Sequence, residues 1–217
     1  MRMMYQAILI QSAYHEESLS ARRLELAHVT SIPSLASQTV KPFVHLELSH
    51  SDPNAHERLK AFQSTGCSVV VVWREDPQGW HLPSGRRLMH RLDDDDMIST
   101  DFCERTRTAA EGTTGDVAMI WPNGFVLCRR KLHPLTHHSN QFVALATDRV
   151  GWQPHLEHHH KYFSMHEWEK RIVSEDRAWC WVRHSDSLSK TRGIYIRHPA
   201  VTNTILHERF SEAVTLY

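Results

Sequence analysis

No stretch of this 217-residue sequence approaches the roughly 20 consecutive apolar residues that cross a bilayer. The early apolar segment Met4–Ile10 is too short and too poorly flanked for a signal peptide. The four cysteines form no CxxC pair, which argues against a zinc ribbon or a redox motif. They are Cys67, Cys103, Cys128 and Cys180. We therefore expect a cytoplasmic protein with reduced, mostly buried thiols.

Net charge is also absent. Lysine plus arginine and aspartate plus glutamate both number 25, so no overall basic field draws the chain to nucleic acid or to an anionic membrane. Such a partner must be held by a local patch, for which Arg129-Arg130-Lys131 is a candidate. The length and an apolar content of 41% suit one globular domain with a real core.

Histidine, by contrast, is abundant, with 18 residues, and several of these form two clusters. The clusters are His133, His137 and His138, then His155, His158, His159 and His160. Adjacent histidines rarely point the same way, and a metal-ligand set usually needs a spacing such as i, i+4 on a helix. We therefore do not expect these clusters to hold a metal, although that alternative stays open.

The first half of the chain alternates strands and helices. A buried strand over Tyr5–Ile10 precedes a helix over Glu16–Val29, and a strand over Phe43–Leu48 precedes a helix over Asn54–Thr65. The segment Cys67–Trp73 is β-branched and apolar on both faces, as expected for a central strand of a parallel sheet covered by helices. The pattern predicts an α/β fold with a mainly parallel central sheet.

The second half is less regular. Further strands are predicted at Arg87–Leu92, Gln141–Thr147 and Ala178–His184, and a hairpin is predicted from Val117–Trp121 and Phe125–Arg130 around an Asn123-Gly124 turn. Helices are predicted over Asp101–Glu111 with a capping box, from a capping box at Ser164–Glu167 to about Val173, and over Asn203–Val214. We expect one domain over residues 1–200 and a C-terminal helical tail over residues 201–217.

Four consecutive aspartates, Asp93–Asp96, directly follow the strand predicted at Arg87–Leu92. Like charges repel, so a fold keeps such a run only where water or a cation neutralises it, and a solvated turn is the simpler interpretation. However, open α/β sheets bind ligands beyond the carboxyl ends of their strands. Alternate carboxylates, Asp93 and Asp95, can face one crevice there and hold Mg²⁺ or Mn²⁺ together with a diphosphate.

Three motifs in order resemble a known family. Ser31–Thr39, followed by Lys41–Leu46, resembles the "PSL…QT…F" signature after the first strand of GT-A glycosyltransferases. With Arg91–Asp96 and Trp179–His184, it is similar to the "putative rhamnosyltransferase" family of bacterial and phage genomes. The resemblance covers about residues 20–190, and its specificity comes from the order of the three motifs.

The resemblance implies a GT-A fold, with a DxD-type motif that grips the ribose, the diphosphate and the metal of a nucleotide-sugar donor. Asp93 and Asp95 match the two carboxylates of that motif. His184 matches the histidine that completes the metal site in several GT-A families, and a satisfied, partly buried histidine is the alternative. Arg91 could reach the diphosphate, or could simply balance the aspartates.

Two features depart from the larger pattern. The segment Ser49–Asp52 stands where many GT-A enzymes carry paired aspartates, which leaves Asp52 as the candidate nucleotide contact. Inverting members place a carboxylate late in the domain as catalytic base, and Glu175 and Asp176 are the nearest acidic pair. A charge pair at a helix end explains these two residues equally well, and the stereochemical course stays open.

The implied activity is transfer of a sugar from dTDP-rhamnose or a UDP-sugar to a saccharide acceptor, with Mn²⁺ or Mg²⁺ as cofactor. A hydroxylated base in phage DNA is an alternative acceptor. A metal-dependent phosphohydrolase or nucleotidyltransferase is a further alternative, although Gln11–His15 lacks the Gly-rich phosphate loop expected of a nucleotidyltransferase. A third alternative is a non-catalytic binding module that retains the fold, and in such a module Asp93 or Asp95 would be dispensable for function.

Overall fold

The computed structural model of the protein describes residues 4–76, 82–138, 140–149, 168–184, 199–202 and 204–211. The helices are α1 (Glu17–Val29), α2 (Ser31–Ala36), α3 (Ala55–Gln63), α4 (Phe102–Ala110) and α5 (Thr204–Arg209). The first six strands are β1 (Tyr5–Gln11), β2 (Phe43–Leu48), β3 (Ser68–Trp73), β4 (Arg87–Asp93), β5 (Met97–Ile98) and β6 (Val117–Ile120). The remaining strands are β7 (Asn123–Cys128), β8 (Lys131–Thr136), β9 (Ala144–Thr147), β10 (Glu169–Ile172) and β11 (Trp179–Arg183).

The larger of two sheets has seven strands in the order β10-β6-β9-β4-β1-β2-β3. Its strands are parallel except β9, which runs antiparallel to β4 and to β6. In the centre, Ala7 of β1 lies opposite Phe43 of β2 on one side and Met89 of β4 on the other. The predicted α/β fold, with a mainly parallel central sheet flanked by helices, is confirmed.

The smaller sheet has four strands in the order β5-β11-β7-β8. Leu206 and Phe210, from the α5 segment, are buried in a cluster with Phe125 of β7 and Val182 of β11. The described part of the predicted C-terminal tail therefore packs on this sheet, and the division at residue 200 stays a prediction. Asn203 and residues 212–214 of the predicted helix, like the rest of the tail to residue 217, lie outside the described residues.

Aromatic side chains fill the space between the two sheets. Trp121 and Trp179 are fully buried, and each packs in a stack, with Phe102 at 5.0 Å and with Phe142 at 4.9 Å between ring centroids. These tryptophans therefore belong to the core rather than to a sugar-stacking surface. No helix within the described ranges is long and apolar enough to cross a bilayer.

The predicted hairpin around Asn123-Gly124 is wrong, because β6 belongs to the large sheet and β7 to the small one. The true hairpin joins β7 to β8 through Arg129-Arg130, with Cys128 opposite Lys131. Gly124 is required for a different reason: a Cβ at this position would lie well inside van der Waals contact with the Trp179 ring. A turn signal in the sequence thus marks a place where two segments of the same chain come into close contact.

The helix predicted to run to Val173 is also wrong over its described part. Residues 169–172 form the exposed strand β10, parallel to β6, and the proposed start at Ser164–Glu167 lies outside the described residues. Helix α4 is found where predicted but lacks its capping box. The Glu104 carboxylate accepts a hydrogen bond from Thr39 instead of capping the helix.

Candidate functional site

The site lies where the strand order of the large sheet reverses. From β1 the chain proceeds to β2 and β3 on one side, and then returns to place β4 on the other side of β1. Ligands of open α/β sheets bind outside the carboxyl ends of the strands at such a point. Ser12 follows β1 there, and Asp93 is the last residue of β4.

The acidic run connects the two sheets. Asp93 ends β4 in the large sheet and Met97 begins β5 in the small one. The three carboxylates between them are buried, with exposed fractions of 0% for Asp94, 6% for Asp95 and 1% for Asp96. The interpretation of this run as a solvated surface turn is therefore wrong, and other groups must neutralise the charges.

Asp94 is turned toward protein partners. Its carboxylate accepts hydrogen bonds from Ser12 Oγ at 2.5 Å, from Tyr14 Oη at 3.0 Å and from Arg23 Nη2. Arg58 Nη1 lies 3.6 Å away. Burial raises the pKa of Asp94, and Arg23 acts in the opposite direction. Asp94 thus anchors a network of buried cations beneath the site.

Asp95 meets the histidine predicted as its partner. Its Oδ2 lies 2.7 Å from His184 Nε2 and 2.5 Å from Arg23 Nη1, and that guanidinium nitrogen lies 2.9 Å from His184 Nε2. Burial pushes the pKa of Asp95 upward, but the His184 hydrogen bond and the Arg23 charge outweigh it and lower the pKa. The ionised carboxylate of Asp95 and the imidazole nitrogen of His184 therefore both contact the Arg23 guanidinium.

The outer members of the run differ in their exposure. Asp96 accepts hydrogen bonds from Gln141 Nε2 at 2.6 Å and from the Val182 backbone N–H at 2.9 Å. Burial, with the charges of Asp95 and Asp93, raises the pKa of Asp96 well above its usual value. The Asp93 side chain is 36% exposed, and its Oδ1 lies 3.5 Å from Arg91 Nε. Asp93 is thus the carboxylate most accessible to a ligand.

These carboxylates fit a hard divalent cation. One oxygen each from Asp93, Asp95 and Asp96 lies within 4.8 Å of the others, and within the described ranges no other group of this kind converges. Carboxylate oxygens are the ligands that Mg²⁺ and Mn²⁺ prefer. Asp96 was not among the predicted ligands, and His184 reaches the group through its contact with Asp95.

The sequence-based interpretation missed the role of two arginines. Neither Arg23 of α1 nor Arg58 of α3 was predicted as a site residue. Arg58 is fully buried, and its Nη2 donates to Ser20 Oγ at 3.0 Å. Arg23 lies one turn before Leu26, and Arg58 lies three residues before Ala61. An arginine on an apolar helix face requires a buried counterion, and this spacing was the available signal.

Asp52, the predicted nucleotide contact, holds Arg58. Its carboxylate accepts hydrogen bonds from Ser20 Oγ at 2.5 Å, from the Asn54 backbone N–H at 2.9 Å and from Arg58 Nε at 3.3 Å. Both oxygens are therefore engaged in positioning the helices behind the site. A direct contact with a nucleotide stays a prediction.

Glu175 and Asp176, the predicted bases, lie in the turn that enters β11. Asp176 pairs with Arg105 at 2.9 Å, and Glu175 accepts from Asn123 Nδ2 at 3.0 Å. The hydrogen bond from Arg105 lowers the pKa of Asp176, which makes it a weaker base. His184 follows β11 at its other end, about 17 Å from Trp179 along the strand at about 3.3 Å per residue. The assignment of the base stays a prediction.

Within the described ranges, no histidine of the two clusters belongs to a group of three or more converging metal-ligand side chains. His133 is buried on β8, and burial lowers the pKa of His137. His155, His158, His159 and His160 lie outside the described residues.

A flat surface adjoins the site along the same edge of the sheet. His50, which follows β2, stacks on Trp73 at the end of β3, with ring centroids 4.0 Å apart and planes inclined by 13°. Glu75 accepts a hydrogen bond from Ser49 Oγ beside this stack. The same edge therefore offers an aromatic surface and a carboxylate two to three strands away from the acidic run.

Comparison with known proteins supports a family assignment. Residues 7–167 match the family described as "Putative rhamnosyl transferase". No curated protein matches the chain. Among the solved structures that match is 4-diphosphocytidyl-2C-methyl-D-erythritolsynthase from Anaerococcus prevotii DSM 20548, with 11% identity, a TM-score of 0.42 and coverage of 83% of this chain and 87% of that one. A similarity this distant carries no functional argument.

Proposed function

Because this chain belongs to the "Putative rhamnosyl transferase" family, we propose that it is a metal-assisted glycosyltransferase acting on a nucleotide-diphosphate sugar and a saccharide acceptor. The family description favours dTDP-rhamnose as donor, with a UDP-sugar as the alternative. The observation that carries the proposal is the convergence of Asp93, Asp95 and Asp96 at the point where the strand order reverses. This is where an open α/β sheet binds a nucleotide.

Asp93 and Asp95, with Asp96 and His184 beside them, would hold Mn²⁺ or Mg²⁺. When bound, such an ion supplies positive charge to the nucleoside diphosphate as it departs. Asp93 is accessible enough to contact a ligand, whereas Asp94 is engaged by protein donors. In this proposal, Asp93, Asp95 and Asp96 face the donor and its metal, whereas Asp94 faces the core.

In the proposed reaction, the acceptor hydroxyl oxygen forms a bond to C1 of the sugar. The bond from C1 to the diphosphate oxygen breaks, its electron pair leaves with the nucleoside diphosphate, and the hydroxyl proton passes to a base. Arg91 and Arg23 border the acidic run, and guanidinium groups bind phosphate oxygens bidentately. These arginines are candidates to hold the diphosphate while that charge develops.

The nucleoside would extend from the diphosphate along the carboxyl ends of β2 and β3. The stacked pair of Trp73 and the exposed His50 can pack on a planar base. The Glu75 carboxylate can accept a hydrogen bond from a base N–H. Replacement of Trp73 by alanine should therefore weaken nucleotide binding more than metal binding.

Calorimetry tests the proposal directly. dTDP-, UDP- and GDP-sugars are titrated with and without Mn²⁺ into the wild type, Asp95→Asn and Asp101→Asn, the last of which changes an acidic residue outside the run. We expect metal-dependent binding of one nucleotide that is lost in Asp95→Asn and kept in Asp101→Asn. If the nucleotide affinity is the same with and without Mn²⁺ and is unchanged in Asp95→Asn, the metal-assisted mechanism is overturned.

Product analysis separates transfer from hydrolysis. With a panel of saccharides and the donor that binds, mass spectrometry should detect a product heavier by one sugar residue. Cleavage of the donor at the same rate without any acceptor would instead support the phosphohydrolase alternative. Asp176→Asn belongs in this assay, since a large fall in kcat would support Asp176 as the base and an unchanged kcat would exclude it.

A further inference from the structure

The hairpin between β7 and β8 carries a compact group of cations. Its two turn residues, Arg129 and Arg130, and the following Lys131 are all exposed. None of the three makes an ion pair with another described residue, in contrast with the arginines of the candidate site. The chain has a net charge of zero, so this concentration of positive charge is a local feature.

The backbone of this turn is unfavourable for arginine. Arg129 and Arg130 have φ angles of 50° and 61°, in the left-handed region that favours asparagine and glycine. A two-residue hairpin with both central φ angles positive is most readily made by Asn-Gly. Strained backbone of this kind concentrates at functional sites. The arginines are therefore not explained by the turn, and their contribution must lie in what they contact.

The tip lies at the same end of the small sheet as the acidic run. Arg183 of β11 pairs in register with Cys128, immediately before the turn. The next residue, His184, contacts Asp95 at 2.7 Å. Arg183 adds a fourth cation, whose guanidinium lies 3.8 Å from the centre of the Trp181 ring. The cationic tip thus borders the site at which an acceptor would enter.

A projecting tip suits an extended anionic surface better than a small ion, which requires a concave site. Nucleic-acid-binding domains usually carry a strongly basic overall charge, which this chain lacks. Each Lys or Arg near an anionic bilayer contributes about 1 kcal/mol of attraction, so a cluster of this size can hold a lipid surface without an overall basic charge. We propose that Arg129, Arg130 and Lys131 dock the protein reversibly on the phosphate groups of an anionic phospholipid surface. The inference rests on the proposed function in one respect, since docking would bring a lipid-linked saccharide acceptor to the site.

Vesicle sedimentation tests this docking in the absence of donor and metal. The vesicles are phosphatidylcholine alone or phosphatidylcholine with about 30% phosphatidylglycerol, at low and at high salt. We expect the wild type to bind only the anionic vesicles and to be released by salt. The variant Arg129→Asn/Arg130→Gly should bind them at least about 10-fold more weakly, since it loses two of the cations that contact the headgroups.

The same variant reports on folding. Because Asn-Gly fits the turn without strain, the melting temperature should rise by about 2–4 °C or more, so weaker binding cannot be ascribed to unfolding. The matched control Arg22→Gln/Lys60→Gln removes the same charge from exposed positions on α1 and α3, and it should bind like the wild type.

Three outcomes would overturn the docking inference. They are equal vesicle binding by the wild type and the hairpin variant, an equal loss in the control variant, and tighter binding to duplex DNA than to anionic vesicles at matched phosphate. Because the vesicle assay contains no nucleotide sugar, its failure leaves the calorimetric test of sugar transfer untouched.

Discussion

Asp95 Oδ2 lies 2.7 Å from His184 Nε2, although the two residues are separated by 89 positions in the sequence. Arg23 Nη1 lies close to both atoms. Arginine can only donate and an ionised carboxylate can only accept, so one imidazole nitrogen cannot satisfy both neighbours at once. The imidazole and the carboxylate therefore share the Arg23 guanidinium, and both carry electron pairs of the kind that a metal cation accepts.

This arrangement predicts that neighbouring aspartates respond differently to the same substitution. Asp95→Asn should weaken Mn²⁺ binding by at least about 10-fold, since it removes a charged ligand. Asp94→Asn should change Mn²⁺ binding much less but should lower the stability, because Asp94 is the counterion of Arg23 and lies near Arg58. Mn²⁺ titration by electron paramagnetic resonance and urea unfolding measure the two effects.

Equal loss of Mn²⁺ affinity in both variants would show that the whole run, rather than its outward carboxylates, determines binding. Circular dichroism confirms that each variant is folded before the titration is interpreted.

Removal of the Arg58 guanidinium should be strongly destabilising. Arg58→Met leaves the buried carboxylate of Asp52 without its cation and deprives Asp94 of a nearby one, which typically costs about 3–5 kcal/mol. Lys60→Met, two residues away on the exposed face of α3, should change the free energy of unfolding by no more than about 0.5 kcal/mol. Urea denaturation compares the two, and similar values would contradict the structural role of Arg58.

Gly124→Ala should destabilise the protein by overpacking. The added methyl group would overlap the buried Trp179 ring, and such overpacking typically costs about 1–3 kcal/mol or more. In a Trp179→Leu background the same change should cost less, because the ring is gone. Thermal unfolding of the wild type and the three variants of this cycle measures the coupling. Strict additivity would mean that the ring does not limit the space at Gly124.

Two buried histidines predict acid sensitivity. Burial lowers the pKa of His45 to about 4 and that of His90 to about 3, from 6.5. At a pH between the folded pKa and 6.5, each histidine is protonated in the unfolded chain but not in the folded one. The free energy of unfolding is therefore highest above pH 6.5 and falls as the pH decreases. At pH 5 each histidine should cost about 2 kcal/mol.

Urea unfolding at pH 7.5 and 5 measures this loss. His45→Gln should reduce the difference between the two pH values by roughly half. The exposed residue His56 offers a control, since His56→Gln should leave the difference unchanged. An undiminished loss in His45→Gln would show that other groups dominate the acid response.

The sequence was sufficient to predict the central strands β1 to β4, because their apolar runs and helical neighbours are local signals. The connection of β6 to β7 was not readable, because the Asn123-Gly124 signal marks the approach of Trp179 and the real turn at Arg129-Arg130 has no turn chemistry.

The sequence predicted that Asp93, Asp95 and His184 lie together, whereas the presence of Asp96 in the carboxylate group and the cations behind it were missed. Arg23 and Asp94 are separated by 71 positions, and Ser12 and Asp94 by 82. Contacts at such distances depend on how helices pack on the sheet, which no local pattern encodes.

The acidic run also has a mechanical meaning, because it is one of the segments of chain that pass from one sheet to the other. Asp93 closes a strand of the large sheet, and His184 directly follows a strand of the small one. A cation shared by Asp95 and His184 would tie this connecting segment to the end of β11 at a further point, much as a covalent cross-link does. By linkage, the affinity of the folded protein for the ion then determines how much the ion raises the free energy of unfolding. The same coupling can therefore be measured by ion titration or by unfolding.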